Sequence, residues 1–357
     1  MKAKSAFMLI TAAALLCACG KAQPPAPEVT RAQGKTMGTF YMVETVGNYK
    51  DGAAALEQDC EAEFKQITDA ISTFDPHSEL ASINAAQTTE PQPISPYLSR
   101  IIADTVAQGL RIGLATDITV GPLVNLWGFG KDKRLNREPS QDEIAEALKL
   151  TGRQAFELRH TRSGQNLIIK HDPKVSLDLS TIGEGLGADA VAAMLDRAGV
   201  QNYLASVAGA SRTAGKNPRG EDWKIGIEDP TNPDHQVFQT VCPLGQGMST
   251  AGSYRNYFKD EKTGHIYSHA IDPKTGRPVD HSTMSVTVIA RRAFITDALD
   301  TGLLVMGADK ALTWANAHNV AIFTIEMKDG KPFARYSRAF AQYLKCAPQV
   351  NATLEEN

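Results

Sequence analysis

At 357 residues the chain can hold one large domain or two ordinary ones, and it is far too long for a small stapled scaffold. Hydrophobic residues at 42% and charged residues at 22% form an ordinary globular mix, which excludes disordered, collagen-like and coiled-coil chains. Lys and Arg number 37 against 40 Asp and Glu, for a net charge of −3, so there is no basic excess to hold a polyanion and no nucleic-acid partner is expected.

The first stretch, MKAKSAFMLITAAALLCACG, places Lys2 and Lys4 ahead of an apolar run over residues 6–18. That run is too short to span a bilayer and has the length of a secretory h-region. Leu16-Cys17-Ala18-Cys19 is similar to a bacterial lipobox. This implies a lipidated Cys19 as the first mature residue and anchoring to the inner membrane on its periplasmic side, the alternative being a plain secretory signal peptide. Residues 1–18 are expected to be a lipoprotein signal peptide, residues 19–28 a Pro-rich tether, and residues 29–350 the folded body. Cys60, Cys242 and Cys346 remain in that body. Their odd number allows at most one disulfide and leaves the pairing open, and no CxxC pair suggests zinc.

Within the body, alternation predicts a strand over 39–46 and helical spacing predicts a helix over 52–72, followed by a turn at Asp75-Pro76. Helices are expected over 96–114 and, behind Pro139-Ser140, over 141–151. Strands follow at 167–170 and 175–179, then a Gly-rich segment and a helix over 188–198. Beyond it, short strands alternate with turns around one helix at 293–306. Strands dispersed among helices without regular βαβ spacing predict an α+β (mixed α/β) body, not a Rossmann sheet.

Four segments could carry chemistry. Gly183, Gly185 and Ala188 match GxGxxA between a strand and a helix, but no acidic residue lies between Asp196 and Glu221, where a dinucleotide fold needs one. A phosphate held on helix-start amides and a merely tight turn both stay open. On the helix at 293–306, Asp297, Asp300 and Thr301 share one face, with no Lys or Arg between Arg292 and Lys310. Two carboxylates and a hydroxyl within one turn are hard oxygen ligands suited to Mg²⁺, the alternative being a solvated polar face. His265, His269 and His281 flank the turn Asp272-Pro-Lys-Thr-Gly-Arg-Pro278, and a neutral histidine there would serve as a general base. Ser249-Thr-Ala-Gly-Ser-Tyr-Arg-Asn256 could hold a phosphate or carboxylate through Arg255, or be an ordinary polar turn.

Taken together, these segments resemble the ApbE family of FAD:protein FMN transferases. The resemblance runs from Gly34-Lys-Thr-Met-Gly38 through Ser72-Thr-Phe-Asp75, the Asp117-Ile-Thr-Val-Gly-Pro-Leu-Val-Asn-Leu-Trp127 segment and Asp178-Leu-Ser180. It continues through 249–258, Ser268-His-Ala-Ile-Asp-Pro273 and 297–301. It implies a two-lobed, T-fold-like catalytic unit with the flavin between the lobes. FAD would be bound by Met37, Phe74, Ala115, Thr116, Asp117, Asp178, Glu184 and Ile271. Mg²⁺ or Mn²⁺ would be held by the Thr181 carbonyl, Asp297, Asp300 and Thr301, with His269 as the base.

The implied reaction moves FMN from FAD to a Thr or Ser hydroxyl of an acceptor protein and releases AMP. Subunits of membrane redox complexes such as the sodium-translocating quinone reductase would be acceptors. Two other outcomes stay open from residue types alone: hydrolysis of FAD to FMN and AMP, and flavin binding without chemistry. The chain departs from the family pattern at Phe74, where Tyr is common, at Ala208, Ala251 and Leu186, and in a shorter link before Asp117.

Overall fold

The chain enters the fold as a hairpin. Strands β1 (Val29–Thr36) and β2 (Thr39–Val46) pair antiparallel from Val29 opposite Val46 to Thr36 opposite Thr39. Met37 and Gly38 between them take φ of 50° and 76°, the reversal that matches the twist of a two-residue hairpin. The structure is a computed structural model and describes residues 27–130, 137–347 and 352–355. The expected signal peptide, Cys19 and most of the expected tether lie outside the described residues.

After the hairpin come α1 (Gly52–Ile71), α2 (Glu79–Ala85), β3 (Gln92–Ile94), α3 (Pro96–Arg111), α4 (Gly121–Leu126), α5 (Gln141–Leu148), β4 (Phe156–His160) and β5 (Asn166–Lys170). The chain then runs through α6 (Gly183–Arg197), β6 (Tyr203–Val207), β7 (Ala210–Ala214), β8 (Ile225–Glu228), β9 (Val237–Val241) and β10 (Gly247–Gly252). Three short pieces follow, β11 (Tyr257–Lys259), β12 (Ile266–Ser268) and β13 (Ile271–Asp272), with β14 (Arg277–Pro278) closing their turn. The last part is β15 (Thr283–Ala290), α7 (Ala293–Met306), α8 (Ala308–His318), β16 (Ala321–Lys328), β17 (Lys331–Ser337) and β18 (Ala352–Glu355).

One nine-stranded sheet, in the order β1-β2-β6-β7-β10-β15-β16-β17-β18, organises the molecule, and only the β17–β18 pairing is parallel. Residues 352–355 form the last strand of this sheet. One sheet face is covered throughout by helices: α1 and α6 pack on Tyr41, Val43, Tyr203 and Ala205, while α7 and α8 pack on Val286, Val288 and Ile322. The opposite face is covered only in part, where Ile227, Val241, Phe340 and Tyr343 meet Met248, Ile289 and Phe323. A second lobe of α2, α3 and the small sheet β3-β5-β4 shares its core with α1 and with Phe294 and Ala298 of α7. The fold is α+β with a predominantly antiparallel sheet, not a Rossmann arrangement.

The differences from the sequence reading have local causes. Residues 175–179 do alternate, with Val175, Leu177 and Leu179 all buried, but they form no ladder. The Asn84 side chain instead donates to the Leu177 carbonyl and accepts from its N–H, both at 2.8 Å, doing a neighbouring strand's work. Helix α3 stops at Arg111 because Gly113 and Leu114 turn left-handed (φ 63° and 61°). Helix α6 starts at Gly183, ahead of the expected 188. The sequence reading did not anticipate α8, which follows α7 after a single break at Gly307 (φ 78°). Cys242 and Cys346 form a disulfide that joins the end of β9 to the C-terminal segment, and Cys60 is buried and free.

Candidate active site

Helix α7 carries the acidic face, and the fold puts that face indoors. Asp189 of α6 caps the helix from outside, accepting from the Ala293 and Phe294 amides at 2.9 and 3.1 Å and from Arg292 Nε at 3.0 Å. With α6 on one side and β10 and β15 on the other, Asp297 is 7% exposed and Asp300 2%. The solvated-face alternative is thereby overturned.

The two carboxylates share one hydroxyl. Ser249 Oγ of β10 lies 2.6 Å from Asp300 Oδ2 and 3.1 Å from Asp297 Oδ1. Asp297 Oδ2 also accepts from the Gly185 amide at 2.6 Å, and Asp300 Oδ1 from the Thr301 amide at 2.5 Å. Thr181 donates to the Thr301 hydroxyl at 2.9 Å, so the four expected metal-holding residues stand together. A Cβ at Gly185 would lie 2.4 Å from the Ala293 carbonyl, so glycine is what lets α6 approach α7 closely enough for this contact. The Gly185 amide is thereby used internally and is not free for a phosphate.

Burial raises both acids. Asp297 stands well above the ordinary aspartate range through desolvation and then repulsion from Asp300 and Glu184, and Asp300 is pushed up to about 8, again chiefly by desolvation. Glu184 is raised by burial as well, although its Oε2 accepts from the Gly209 amide at 2.9 Å and Arg255 pulls it down. Among the described residues no group of three His, Cys, Asp or Glu side chains converges as a metal cage. The donor set is two carboxylates plus neutral oxygens, and among the described residues no cation is paired to either acid. Such a buried, like-charged pair fits a hard divalent ion, which would supply the missing compensation.

This cluster forms part of the wall of a cleft of about 870 Å³ between the lobes. Phe74, Ala115, Thr116, Asp117, Asp178, Thr181, Glu184, Arg255, His269 and Ile271 border the same cleft. Asp117 and Asp178 are each steadied by local amides, from Thr119 at 2.9 Å and Ser180 at 2.8 Å. Thr116 donates to the Ala298 carbonyl of α7 at 3.2 Å, and Phe74 is 68% exposed at the mouth. Met37 does not border the cleft: its thioether packs instead over Gly183 and Gly187 at the start of α6, in the space those bare glycines leave.

His265, just ahead of β12, is exposed, and His269 lies between β12 and β13. Its Nδ1 is 3.0 Å from the Asn256 carbonyl, which can only accept, so Nδ1 carries the proton and a neutral ring keeps its lone pair on Nε2. Burial lowers its pKa, which favours that neutral form. Arg255 forms an ion pair with Glu228 at the end of β8, whose other oxygen is 2.9 Å from His235 Nδ1.

Ser249 and Asp189 are the site residues that sequence reasoning missed as partners of α7. Ser249 did open a segment singled out for its hydroxyls, but its aim at α7 depends on long-range packing. The departure at Ala208 is a turn residue with φ of 43°, where glycine would be unstrained. Its neighbour Gly209 has no room for a Cβ without crowding Glu184 and Thr250, at 3.3 Å each.

Comparison with known proteins agrees with this geometry. The ApbE family model matches residues 37–324. The FAD:protein FMN transferase of Klebsiella pneumoniae (strain 342) is 40% identical over 332 residues, covering 91% of this chain and 93% of the relative. The solved flavin transferase ApbE from Vibrio cholerae superposes with a TM-score of 0.80 at 32% identity, covering 89% of this chain and all of that one. The apo Pseudomonas stutzeri flavinyl transferase ApbE gives 0.79 at 32% identity, covering 89% of this chain and 97% of its own. With four-fifths of its length inside one family model and an acidic, histidine-bearing cleft between its lobes, this chain belongs to the ApbE family.

Proposed function

We propose that the chain is an FAD:protein FMN transferase. A Thr or Ser hydroxyl of an acceptor protein attacks the FMN-side phosphorus of FAD. The new O–P bond forms as the bond from that phosphorus to the bridging oxygen breaks, and AMP leaves with that oxygen. The hydroxyl proton passes to Nε2 of His269. The observation that carries this reading is the buried pair Asp297 and Asp300 in a cleft that also holds a histidine with its Nδ1 already committed to a carbonyl.

A divalent cation, Mg²⁺ or Mn²⁺, would be held by Asp297, Asp300, the Thr301 hydroxyl and the Thr181 carbonyl. When bound it would neutralise charge on the diphosphate. The chain's own residues do the rest. Ser249 holds the two carboxylates in one orientation, and the Asn256 carbonyl fixes the tautomer that makes His269 an acceptor. Phe74 offers a ring for stacking at the mouth, and the Gly209 amide orients Glu184.

We further read Cys19 as a lipid anchor on the periplasmic side of the inner membrane, with acceptors among subunits of membrane redox complexes. The Cys242–Cys346 disulfide supports an oxidising compartment. No helix among the described residues is long and apolar enough to cross a membrane.

Intact-mass measurement of an acceptor domain incubated with the mature chain, FAD and MgCl₂ tests the reading. One added FMN per acceptor and an equivalent of AMP are expected, and both should vanish with EDTA. An unmodified acceptor with either Mg²⁺ or Mn²⁺, in an assay where the Vibrio cholerae enzyme modifies it, would refute transfer. AMP and FMN released at the full rate without acceptor would point to hydrolysis.

A further inference from the structure

The face of the nine-stranded sheet turned away from the helices is roofed on one half and bare on the other. Under the roof, Met248 of β10 packs against Ile227 of β8 and Ile289 of β15. Toward the bare half, the register carries the same face from Met248 through Ser211 and Ser206 to Met42, with Phe40 two residues along β2. Phe40 is 65% exposed and Met42 41%, and both border the cleft. Lys35 lies opposite Phe40 on β1, exposed and without an ion-pair partner among the described residues.

The roof ends in an open strand edge. Among the described residues β8 pairs only with β9, in a separate two-stranded sheet, and β9 is tied on its far side to the C-terminal segment by the Cys242 amide to the Tyr343 carbonyl. Ile225 and Gly226, neighbours of opposite facing, both border the cleft, as do Lys224 and Glu228. Successive side chains of a strand point to opposite faces, so lining by Ile225 and by its neighbour Gly226 is what an edge of β8 in the wall would give. A free edge beside an apolar strip is the arrangement that accepts an added strand.

Both walls lead to the acidic site. The Phe40 carbonyl accepts from Ala208, the next residue's amide binds Glu184, and Glu228 at the end of β8 pairs with Arg255.

We propose that an extended segment of the acceptor polypeptide adds to the free edge of β8 as a third strand. It lays apolar side chains on Phe40 and Met42 and an acidic one on Lys35, which carries its hydroxyl residue toward Asp297 and Asp300. The proposal rests on the transfer reading, which requires a polypeptide to enter this cleft. The unpartnered Lys35 selects an acidic complement, and the backbone edge makes the contact tolerant of the residues between.

The test uses an acceptor domain that the Vibrio cholerae enzyme modifies in the same assay, with FAD and Mg²⁺ saturating. Phe40→Ser with Met42→Ser should raise the acceptor KM about tenfold or more while kcat and FAD affinity stay within about twofold. Lys35→Glu should raise KM about threefold, an effect that shrinks with added salt. Hydrogen exchange on the wild-type protein should slow at residues 225–228 when acceptor is added. An unchanged KM in the double variant, no protection at β8, or lost FAD affinity would each overturn the proposal. So would protection of the strip by self-association without acceptor, seen by analytical ultracentrifugation. If the wild-type chain adds no FMN while the Vibrio cholerae enzyme does, the transfer reading itself has failed, which is a different result.

Discussion

Two regions of this molecule bury ionisable side chains and treat them in opposite ways. Lys170, at the end of β5, is 0% exposed, and its ammonium donates to the carbonyls of Ala86 and Pro173 at 2.7 and 2.8 Å and reaches that of Asn84 at 3.5 Å. Its charge is used up by backbone oxygens, and it clamps the C-terminal end of α2, whose Asn84 holds residue 177. Asp297 and Asp300 are as deeply placed but face each other and a cavity, with one serine hydroxyl shared between them. A buried charge satisfied from within holds the fold together, whereas two buried acids left facing a cavity mark where a ligand completes the structure.

The largest effect that would sharpen this contrast is at the acidic pole. Asp300→Asn should lower kcat about a thousandfold, about 4 kcal/mol of transition-state stabilisation, while leaving the metal-free protein as stable as before or more so. A large drop in its unfolding midpoint would instead make Asp300 a structural charge like Lys170 and break the comparison. Next, Lys170→Met strips three carbonyls of their donor and should cost about 3 kcal/mol in urea unfolding. Transfer per folded molecule should stay within about twofold, so a catalytic loss without destabilisation would also defeat the contrast.

His269→Ala should cost about a hundredfold in kcat. In the unmodified enzyme the rate should rise with pH through a value below the ordinary histidine range, because burial lowers that pKa, and then level off. The variant should lose this rising limb, and a profile unchanged by the substitution would remove His269 from proton transfer. The smallest effect is on stability. Since the fold raises Asp300 to about 8, its protonated form is favoured in the native state. Its contribution is full below the ordinary aspartate pKa and is lost as pH rises through about 8. The thermal midpoint of the metal-free protein should therefore fall by a few degrees between about pH 5 and pH 8. Added Mg²⁺ should restore it at the upper end, and a midpoint indifferent to both would mean that the pair is not strained.

What was legible in the sequence is what depends on neighbours along the chain. Helices α1, α3 and α7 lie close to where their periodicity puts them, and the acidic face of α7 could be read from residue spacing alone. The family resemblance supplied the rest of the site, because its motifs occur in order. What was not legible depends on contacts across the fold. Residues 175–179 have a strand's alternation, but Leu177 takes its hydrogen bonds from one asparagine side chain far away in sequence and Asp178 donates to the Ile118 carbonyl. Ser249 and Asp189 act on α7 from other elements, and nothing local in their segments says so. Arg255 was expected to hold a phosphate or a carboxylate, and which carboxylate it meets, that of Glu228, 27 positions away, was not legible locally. Met37 was expected at the flavin and fills the gap over Gly183 and Gly187.

The disulfide has a consequence for the integrity of the enzyme. Cys242 and Cys346 are 104 positions apart, and the stretch between them contains Ser249, Arg255, His269, Asp297, Asp300 and Thr301. A protease cutting once anywhere in that stretch, for instance in the exposed turn at 261–265, would leave two fragments still covalently joined. A molecule nicked there keeps Ser249 and Arg255 on one linked body with His269 and the acidic pair. Damage that would separate the two halves of the reaction centre in a reduced chain becomes, in the oxidised one, a break that the cleft can survive.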